Sequence, residues 1–217
     1  MSFVVFLGGK VCPLSAQALS FLNRKLKKIV ALKPDVIWFD YLKFQGKWGV
    51  VRGDLSETHE ECKYCLDKDR ESEIVEIARD ALAKIPKNIK VGYFAMPYKK
   101  GEYEGWEKIL GQDHKNLGNI FDFVSPMLYH RMVGKPVSYI SEYVKYLDGL
   151  DIKAEIIPII QLKDMPDELP DKLTLKEIGQ EVEEAMKSPS VGVAVFSWDQ
   201  TIEKGKLYGV SRILRKI

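Results

Sequence analysis

The chain of 217 residues is long enough for one domain with a substantial core, and a second full domain is not expected. Its 33 basic and 31 acidic residues are interspersed and give a net charge of +2. The basic residues are not concentrated in a patch, so a nucleic-acid partner is not expected. No apolar run approaches the roughly 20 residues that a membrane-spanning helix requires, so no membrane partner is expected.

The amino terminus does not resemble a targeting signal. Residues 2–7 form an apolar run that lacks a basic leader and is too short for the core of a signal peptide. We therefore expect a cytoplasmic protein. Because the chain starts directly on an apparent buried strand, the possibility of upstream sequence stays open.

Six apolar segments alternate with amphipathic ones along the chain, which predicts strands alternating with helices. The clearest helix covers residues 174–187, with Thr174 as N-cap and Glu177 as its capping-box partner. The predicted strands are residues 3–7, 36–40, 91–96, 120–129, 154–162 (interrupted by Pro158) and 191–198. The predicted helices are residues 13–32, 71–85, 106–117, 137–150, 174–187 and the last stretch to residue 217.

This alternation predicts an α/β fold with a parallel sheet, for which two architectures compete. An open doubly wound sheet would often carry a glycine-rich phosphate turn after its first strand, and Gly8 and Gly9 match that turn only weakly. A (β/α) barrel fits better, because polar and aromatic residues recur at the carboxyl ends of nearly every predicted strand. We therefore predict a single TIM-type barrel domain over residues 1–217, with a long loop insertion at about residues 45–70. A complete barrel has eight strands, whereas six are predicted here. We therefore expect a barrel that is incomplete at the N-terminus or that contains strands not recognised in the sequence.

The stretch that follows the second predicted strand carries the main functional signal. The apolar run at residues 36–39 ends abruptly in Asp40, and Tyr41, Lys43 and Trp48 follow. A carboxylate at the carboxyl end of a buried parallel strand lies where α/β proteins place their chemistry. Aromatic rings and a cation around it are typical of a sugar-binding cleft. The alternative is a solvated Asp40 that caps the following turn.

Asp40 and Asp199 are the predicted catalytic pair, since glycoside hydrolysis needs two carboxyl groups. If their strands are the fourth and eighth of a barrel, the side chains face each other across it. That geometry favours the wider spacing of inverting enzymes, about 6.5–9.5 Å. Trp198 beside Asp199 would raise a carboxyl pKa by desolvation, as a general acid requires. Alternatively, Asp199 is an ordinary turn residue.

Further side chains at the predicted rim are candidates for substrate binding. His130 is a proton donor, a hydrogen-bond donor to a sugar hydroxyl or a packed structural histidine, and Arg131 would clamp a carboxylate. Gln161 suits hydroxyl binding, and the loop aromatic residues suggest a stacking platform. The complete predicted set is Tyr41, Lys43, Trp48, Tyr98, Tyr129, His130, Arg131, Gln161 and Trp198.

The three cysteines are too few for a disulfide scaffold. Cys62 and Cys65 form a Cys-x2-Cys pair with His59 three residues upstream, which is metal-ligand spacing, and Cys12 would supply a fourth ligand. Thiols or a local disulfide are the competing interpretations. Because a lone Cys-x2-Cys is a weak signal, we predict no cofactor and no metal and leave zinc open.

With these residues in view, the chain resembles the glycoside-hydrolase-like TIM-barrel proteins. Trp48 and the Cys-x2-Cys pair belong to the shared pattern, whose three main motifs span most of the chain. These motifs are Asp-Tyr-Leu-Lys-Phe at residues 40–44, Ser-Pro-Met-Leu-Tyr at residues 125–129 and Phe-Ser-Trp-Asp at residues 196–199. The chain departs from the pattern at Lys43, where the family usually has Arg, and in its missing early strands.

The resemblance implies carbohydrate chemistry, with Asp40 as nucleophile or base and Asp199 as acid or substrate anchor. The first hypothesis is therefore a glycoside hydrolase acting on an oligo- or polysaccharide. A non-catalytic carbohydrate-binding barrel is the alternative, because the strand at residues 91–96 does not end in Glu. A metal-dependent hydrolase using His59 and His130 ranks last, since no His-x-His ends a strand.

Overall fold

The structure, a computed structural model, describes residues 1–6, 11–47, 56–57, 62–102, 106–164, 171–203 and 205–215. The strands are β1 (Ser2–Phe6), β2 (Val36–Asp40), β3 (Gly46–Lys47), β4 (Ser56–Glu57), β5 (Lys90–Ala95), β6 (Phe123–Pro126), β7 (Glu155–Ile156), β8 (Ile159–Gln161) and β9 (Ala194–Phe196). The helices are α1 (Ala16–Ala31), α2 (Arg70–Leu82), α3 (Trp106–Leu110), α4 (His114–Gly118), α5 (Tyr139–Asp148), α6 (Leu175–Ala185), α7 (Trp198–Glu203) and α8 (Leu207–Leu214).

The main sheet is parallel, and its strands lie in the order β1-β2-β5-β6-β7. A parallel pair, β8 and β9, continues it, because a bridge joins Met127 after β6 to Ile159 of β8. The predicted fifth strand is split at Pro158, which has no backbone N–H to donate. Within the described residues no pairing joins β9 to β1. The α/β fold with a parallel sheet is confirmed, whereas a closed barrel is not seen.

Alternation along β2 separates the two faces of the sheet. Ile37 and Phe39 are fully buried, whereas Val36, Trp38 and Asp40 are partly exposed on the other face. The buried face packs against helices α1, α2, α5 and α6 in one apolar core. That core includes Leu22, Leu26, Ile37, Phe39, Ile74, Ala78, Tyr143, Leu147, Val182 and Ala185. Asp40 therefore ends β2 on the face opposite the main core.

Glycine breaks and side-chain caps set the ends of several helices. The predicted helix at residues 106–117 is split into α3 and α4 at Gly111, whose φ of +69° favours glycine. A Cβ there would also lie 2.5 Å from the Arg70 carbonyl oxygen. Thr174 caps α6 as predicted, accepting a hydrogen bond from the Glu177 N–H at 3.2 Å. None of the helices in the described ranges is long and apolar enough to cross a membrane.

On the partly exposed face of the sheet, Trp38 stacks on Phe94 at 5.3 Å and on Phe123 at 5.8 Å between ring centroids. Gly92 makes room for this ring, because a Cβ there would lie 2.5 Å from Trp38 Cζ3.

We expect Gly92→Ala to lower the free energy of unfolding by about 1–3 kcal/mol through overpacking. Urea denaturation measures it. Gly179→Ala in α6 is the control, since that Cβ would meet no atom within 4 Å and alanine favours a helix. Equal urea midpoints for Gly92→Ala and wild type would contradict this account.

Candidate functional site

A cleft of about 380 Å³ lies at the carboxyl ends of β2, β5, β6 and β9. The apolar part of its lining is Phe94, Met96, Pro97, Met127, Met132, Val133 and Phe196. The polar part is Asp40, Tyr41, Lys43, Gln45, Gln112 and Tyr129, with Gly46 beside them. Four predicted site residues are thus brought together here: Asp40, Tyr41, Lys43 and Tyr129.

A sharp turn directly after β2 positions Asp40, Tyr41 and Lys43. Tyr41 has a φ of +55°, a left-handed conformation that is unusual for a bulky residue. Its backbone N–H donates to Asp40 Oδ1 at 2.8 Å, and the Lys43 N–H donates to the Tyr41 carbonyl at 2.8 Å. The Lys43 ammonium also lies 5.2 Å from the centre of the Tyr41 ring. Backbone strain of this kind clusters at functional sites, so the turn supports a functional hypothesis.

Burial shifts the pKa values of Asp40 and Lys43 in opposite directions. Desolvation raises the pKa of Asp40, although the Tyr41 N–H and the Lys43 charge oppose the shift. Desolvation likewise lowers the pKa of Lys43 to about 8, with Asp40 opposing it. The cleft therefore holds a carboxyl group shifted towards its protonated form, which is what a general acid needs.

Tyr129 and Phe196 form an aromatic wall of the cleft. Their rings stack with centroids 5.7 Å apart, and the Phe196 side chain is 41% exposed. Burial raises the pKa of Tyr129, and the Asp40 charge adds to this effect. Tyr129 thus keeps its proton and can donate a hydrogen bond, while the exposed Phe196 ring can stack on a flat apolar ligand face.

Gln112, which the sequence analysis did not single out, holds two walls of the cleft together. Its Oε1 accepts a hydrogen bond from the Met96 N–H at 2.8 Å. Its Nε2 donates to the Leu42 carbonyl at 3.2 Å and to the Phe94 carbonyl at 3.0 Å. The signal available in the sequence was only a polar residue beside Gly111 inside a poorly patterned helix.

Tyr98 lies beneath the cleft and is not part of its lining. Its side chain is buried, its hydroxyl donates to the Gln112 carbonyl at 3.0 Å, and its ring stacks on His114 at 4.9 Å. Burial lowers the pKa of His114 to about 4, so this ring is neutral at physiological pH. Tyr98 therefore supports the floor of the cleft, and direct sugar contact by this residue stays a prediction.

His130 and Arg131 contact acidic side chains instead of lining the cleft. His130 Nε2 lies 2.9 Å from Glu181 Oε1 in α6, and its Nδ1 lies 3.0 Å from the Lys135 carbonyl. Arg131 donates two hydrogen bonds of 2.7 Å to Glu177 and two more to Asp164 at 3.0 and 3.1 Å. These acidic partners, which the sequence analysis missed, lie against the polar atoms of both residues.

The remaining predicted site residues lie outside the cleft lining. Gln161 is fully buried, and its Nε2 donates to the Lys163 carbonyl at 3.1 Å. Trp198 and Asp199 are exposed in the first turn of α7, just after Phe196. Trp48 falls outside the described residues, as do His59, Gly8 and Gly9. The Asp40–Asp199 pair stays a prediction.

One further cluster is able to hold a metal ion. It consists of Cys12, Cys62 and Cys65, whose sulfur atoms lie within 4.8 Å of one another. None of the three lines the cleft.

Solved structures of known proteins share the fold of this chain. No family model and no curated protein matches the chain. The PgaB (BpsB) glycoside hydrolase domain from Bordetella bronchiseptica is similar in structure, with a TM-score of 0.63 and 12% identity over 92% of this chain and 62% of that domain. Bee venom hyaluronidase has a TM-score of 0.58 and 15% identity over 92% and 76% of the two chains. A GH18 chitinase from Pseudoalteromonas aurantia has a TM-score of 0.53 and 12% identity over 95% and 73%.

At these identities the similarity establishes a glycoside-hydrolase-like α/β fold with a parallel sheet. The chain spans less than two thirds of the PgaB domain. The activity and substrate therefore have to be argued from the cleft itself.

Proposed function

We propose that this protein is a glycoside hydrolase that acts on an oligo- or polysaccharide, with Asp40 as a proton-transferring carboxyl group. The observation that carries the proposal is the desolvated Asp40 at the end of β2, inside a cleft lined by aromatic rings. The fold shared with glycoside hydrolase domains supports a carbohydrate ligand. The order of the parallel strands, which follows the chain, further supports our proposal that the sheet belongs to a TIM-type barrel.

The raised pKa of Asp40 favours the role of general acid over that of nucleophile or base. A carboxyl group with a raised pKa holds its proton to higher pH, so it can protonate the leaving oxygen of a glycosidic bond. Tyr129 would donate a hydrogen bond to the substrate, and the Lys43 charge would stabilise the Asp40 carboxylate that is left after proton transfer. Asp199, which follows Phe196 closely in the chain, is the proposed second carboxyl group.

A carbohydrate-binding protein without hydrolytic activity is the second candidate. The observation that favours it is that Asp40 alone contributes a carboxylate to the cleft lining among the described residues. Hydrolysis by the usual mechanisms needs two carboxyl groups, whereas binding needs only the rings and hydrogen-bond donors. Measuring hydrolysis and binding on the same glycans separates the two functions.

The test is a panel of glycans that includes chitin oligosaccharides and hyaluronan, because two structural neighbours are a chitinase and a hyaluronidase. Calorimetry measures binding, and the release of reducing ends measures hydrolysis. We expect at least one glycan to be both bound and cleaved. Binding without cleavage of any glycan would favour the binding protein, and failure to bind any glycan would contradict both candidates.

Phe196→Ala tests whether the aromatic wall contacts the glycan. Removing this exposed ring should weaken glycan binding about tenfold, which corresponds to about 1.4 kcal/mol. Tyr208→Ala is the matched control, because this ring is 76% exposed and lies outside the cleft lining. Equal glycan affinities for the two variants would show that Phe196 does not contact the ligand.

A further inference from the structure

The chain brings its three cysteines together from two distant segments. Cys12 lies between β1 and α1, whereas Cys62 and Cys65 lie in the turn before α2. All three sulfur atoms lie within 4.8 Å of one another. Four ligands at the corners of a tetrahedron, each about 2.3 Å from zinc, have sulfur atoms about 3.8 Å apart. The observed sulfur separations, none of which exceeds 4.8 Å, are compatible with that geometry.

Backbone hydrogen bonds shape both segments that carry the cluster. The Cys62 carbonyl accepts hydrogen bonds from the N–H groups of Cys65 at 3.1 Å and Leu66 at 3.0 Å, which closes the Cys-x2-Cys segment into a tight turn. At the other segment, the Ser15 N–H donates to the Cys12 carbonyl at 3.0 Å, which closes the turn before α1. Both segments are thus held in tight turns.

The three cysteines are largely shielded from solvent. Cys65 is fully buried, Cys12 is 7% exposed, and Cys62 is partly buried. A soft cation held among these thiols would be largely shielded from water, and its coordination would deprotonate each of them.

We propose that Cys12, Cys62 and Cys65 bind one zinc ion in a structural site. The ion joins the turn between β1 and α1 to the turn that precedes α2, and each thiol releases its proton on binding. This inference replaces the expectation that the chain uses no metal. It rests on the three cysteines alone, and it is independent of the proposed glycan hydrolysis.

The first measurement is the zinc content of the untagged chain, purified without chelator and analysed by elemental mass spectrometry. We expect about one zinc ion per chain, released when a mercurial reagent blocks the thiols. The stripped protein is then titrated with Co²⁺. A thiolate-to-cobalt charge-transfer band together with the visible bands of tetrahedral cobalt is the expected spectrum.

Cys65→Ser removes a buried ligand. Loss of an outer-shell partner weakens metal binding about 10- to 100-fold, so loss of this ligand should weaken Co²⁺ binding by more than that. Ser15→Ala is the matched control. Ser15 caps α1 through a 3.2 Å hydrogen bond from the Ala18 N–H, so its loss destabilises the same region by about 1 kcal/mol without removing a ligand. The control should keep its zinc.

Three results would overturn the proposal. One is wild-type protein that contains no zinc and whose stripped form gives no thiolate–cobalt band. Another is an intact mass that shows a disulfide among the three cysteines in freshly purified protein. The third is full zinc content in Cys65→Ser. If Cys65→Ser does not fold, the cobalt titration of the wild-type chain decides the question.

Discussion

Asp40→Asn should lower kcat for glycan hydrolysis by about 10²- to 10⁴-fold, the usual contribution of a general acid or base. Asparagine keeps the size of the side chain and can still accept the hydrogen bond from the Tyr41 N–H. Glycan binding should therefore stay within a factor of a few. Because kcat and KM respond differently to lost catalysis and lost binding, steady-state kinetics and calorimetry on the same glycan separate the two effects.

The matched control for Asp40→Asn is Asp80→Asn, which makes the same chemical change on the exposed face of α2. This control should keep full activity. If Asp40→Asn also keeps full activity, the turn after β2 is structural and the proposed mechanism is wrong.

A leaving-group series assigns the roles of Asp40 and Asp199. A variant that lacks the general acid loses least activity on substrates with good leaving groups, because these need little proton donation. We expect that pattern for Asp40→Asn, whose carboxyl group is desolvated, whereas Asp199→Asn should slow all substrates alike. The reverse pattern would make Asp199 the acid and would return Asp40 to the role of nucleophile or base.

Local signals in the sequence predicted the elements well. The second strand was predicted at residues 36–40 and is β2 (Val36–Asp40), and the cap at Thr174 is confirmed. Apolar periodicity and caps depend on neighbouring residues, so they can be read without the fold. The split at Gly111 was missed although its signals are local: Gly111 has a φ of +69°, and Asp113 caps α4 by accepting a hydrogen bond from the Asn116 N–H at 3.0 Å.

The cleft was predicted only in part, because the partners of polar side chains come from elements that are distant in the sequence. Asp40 and Tyr129 were placed at the ends of parallel strands, and both line the cleft. His130 and Arg131 follow the same rule but face carboxylates of α6. A rim position identifies a polar side chain near the cleft, yet it does not reveal whether substrate or a distant helix supplies the partner.

Stability should fall as the pH rises from about 4.5 to about 7, and further through the raised pKa of His130, because of the Glu181–His130 pair. Burial raises the pKa of Glu181 from 4.5 to about 7, although His130 opposes the shift. For His130, burial favours the neutral ring, but Glu181 outweighs burial and the pKa is raised. Between pH 4.5 and about 7 the folded chain therefore holds a proton that the unfolded chain has released.

The size of this effect follows from the shift of Glu181, whose side chain is fully buried. A difference of about 2.5 pKa units corresponds to about 3 kcal/mol of stability lost across the window. His130 acts in the same direction, since its raised pKa gives stability that is complete below 6.5 and is lost as the pH rises through the folded value. Urea denaturation at intervals of pH measures the slope.

Glu181→Gln keeps the shape of the protonated acid and cannot ionise, so it should flatten this pH dependence and exceed wild type in stability at about pH 8. Glu183→Gln is the control on the exposed side of the same helix, and its curve should run parallel to that of wild type. Glu177 and Arg131, the other charged groups beside the pair, are unchanged in both variants.

Parallel curves for wild type and Glu181→Gln would mean that the Glu181 carboxyl is hydrated and not perturbed.

The pH dependence of stability, together with KM for the glycan, separates two roles of His130. If His130 serves mainly as the partner of Glu181, His130→Gln should change the slope of stability with pH and leave KM for the glycan unchanged. If His130 binds sugar, as its position after β6 first suggested, KM should rise while a steep slope remains. The buried contact of 2.9 Å to Glu181 leads us to expect the first result.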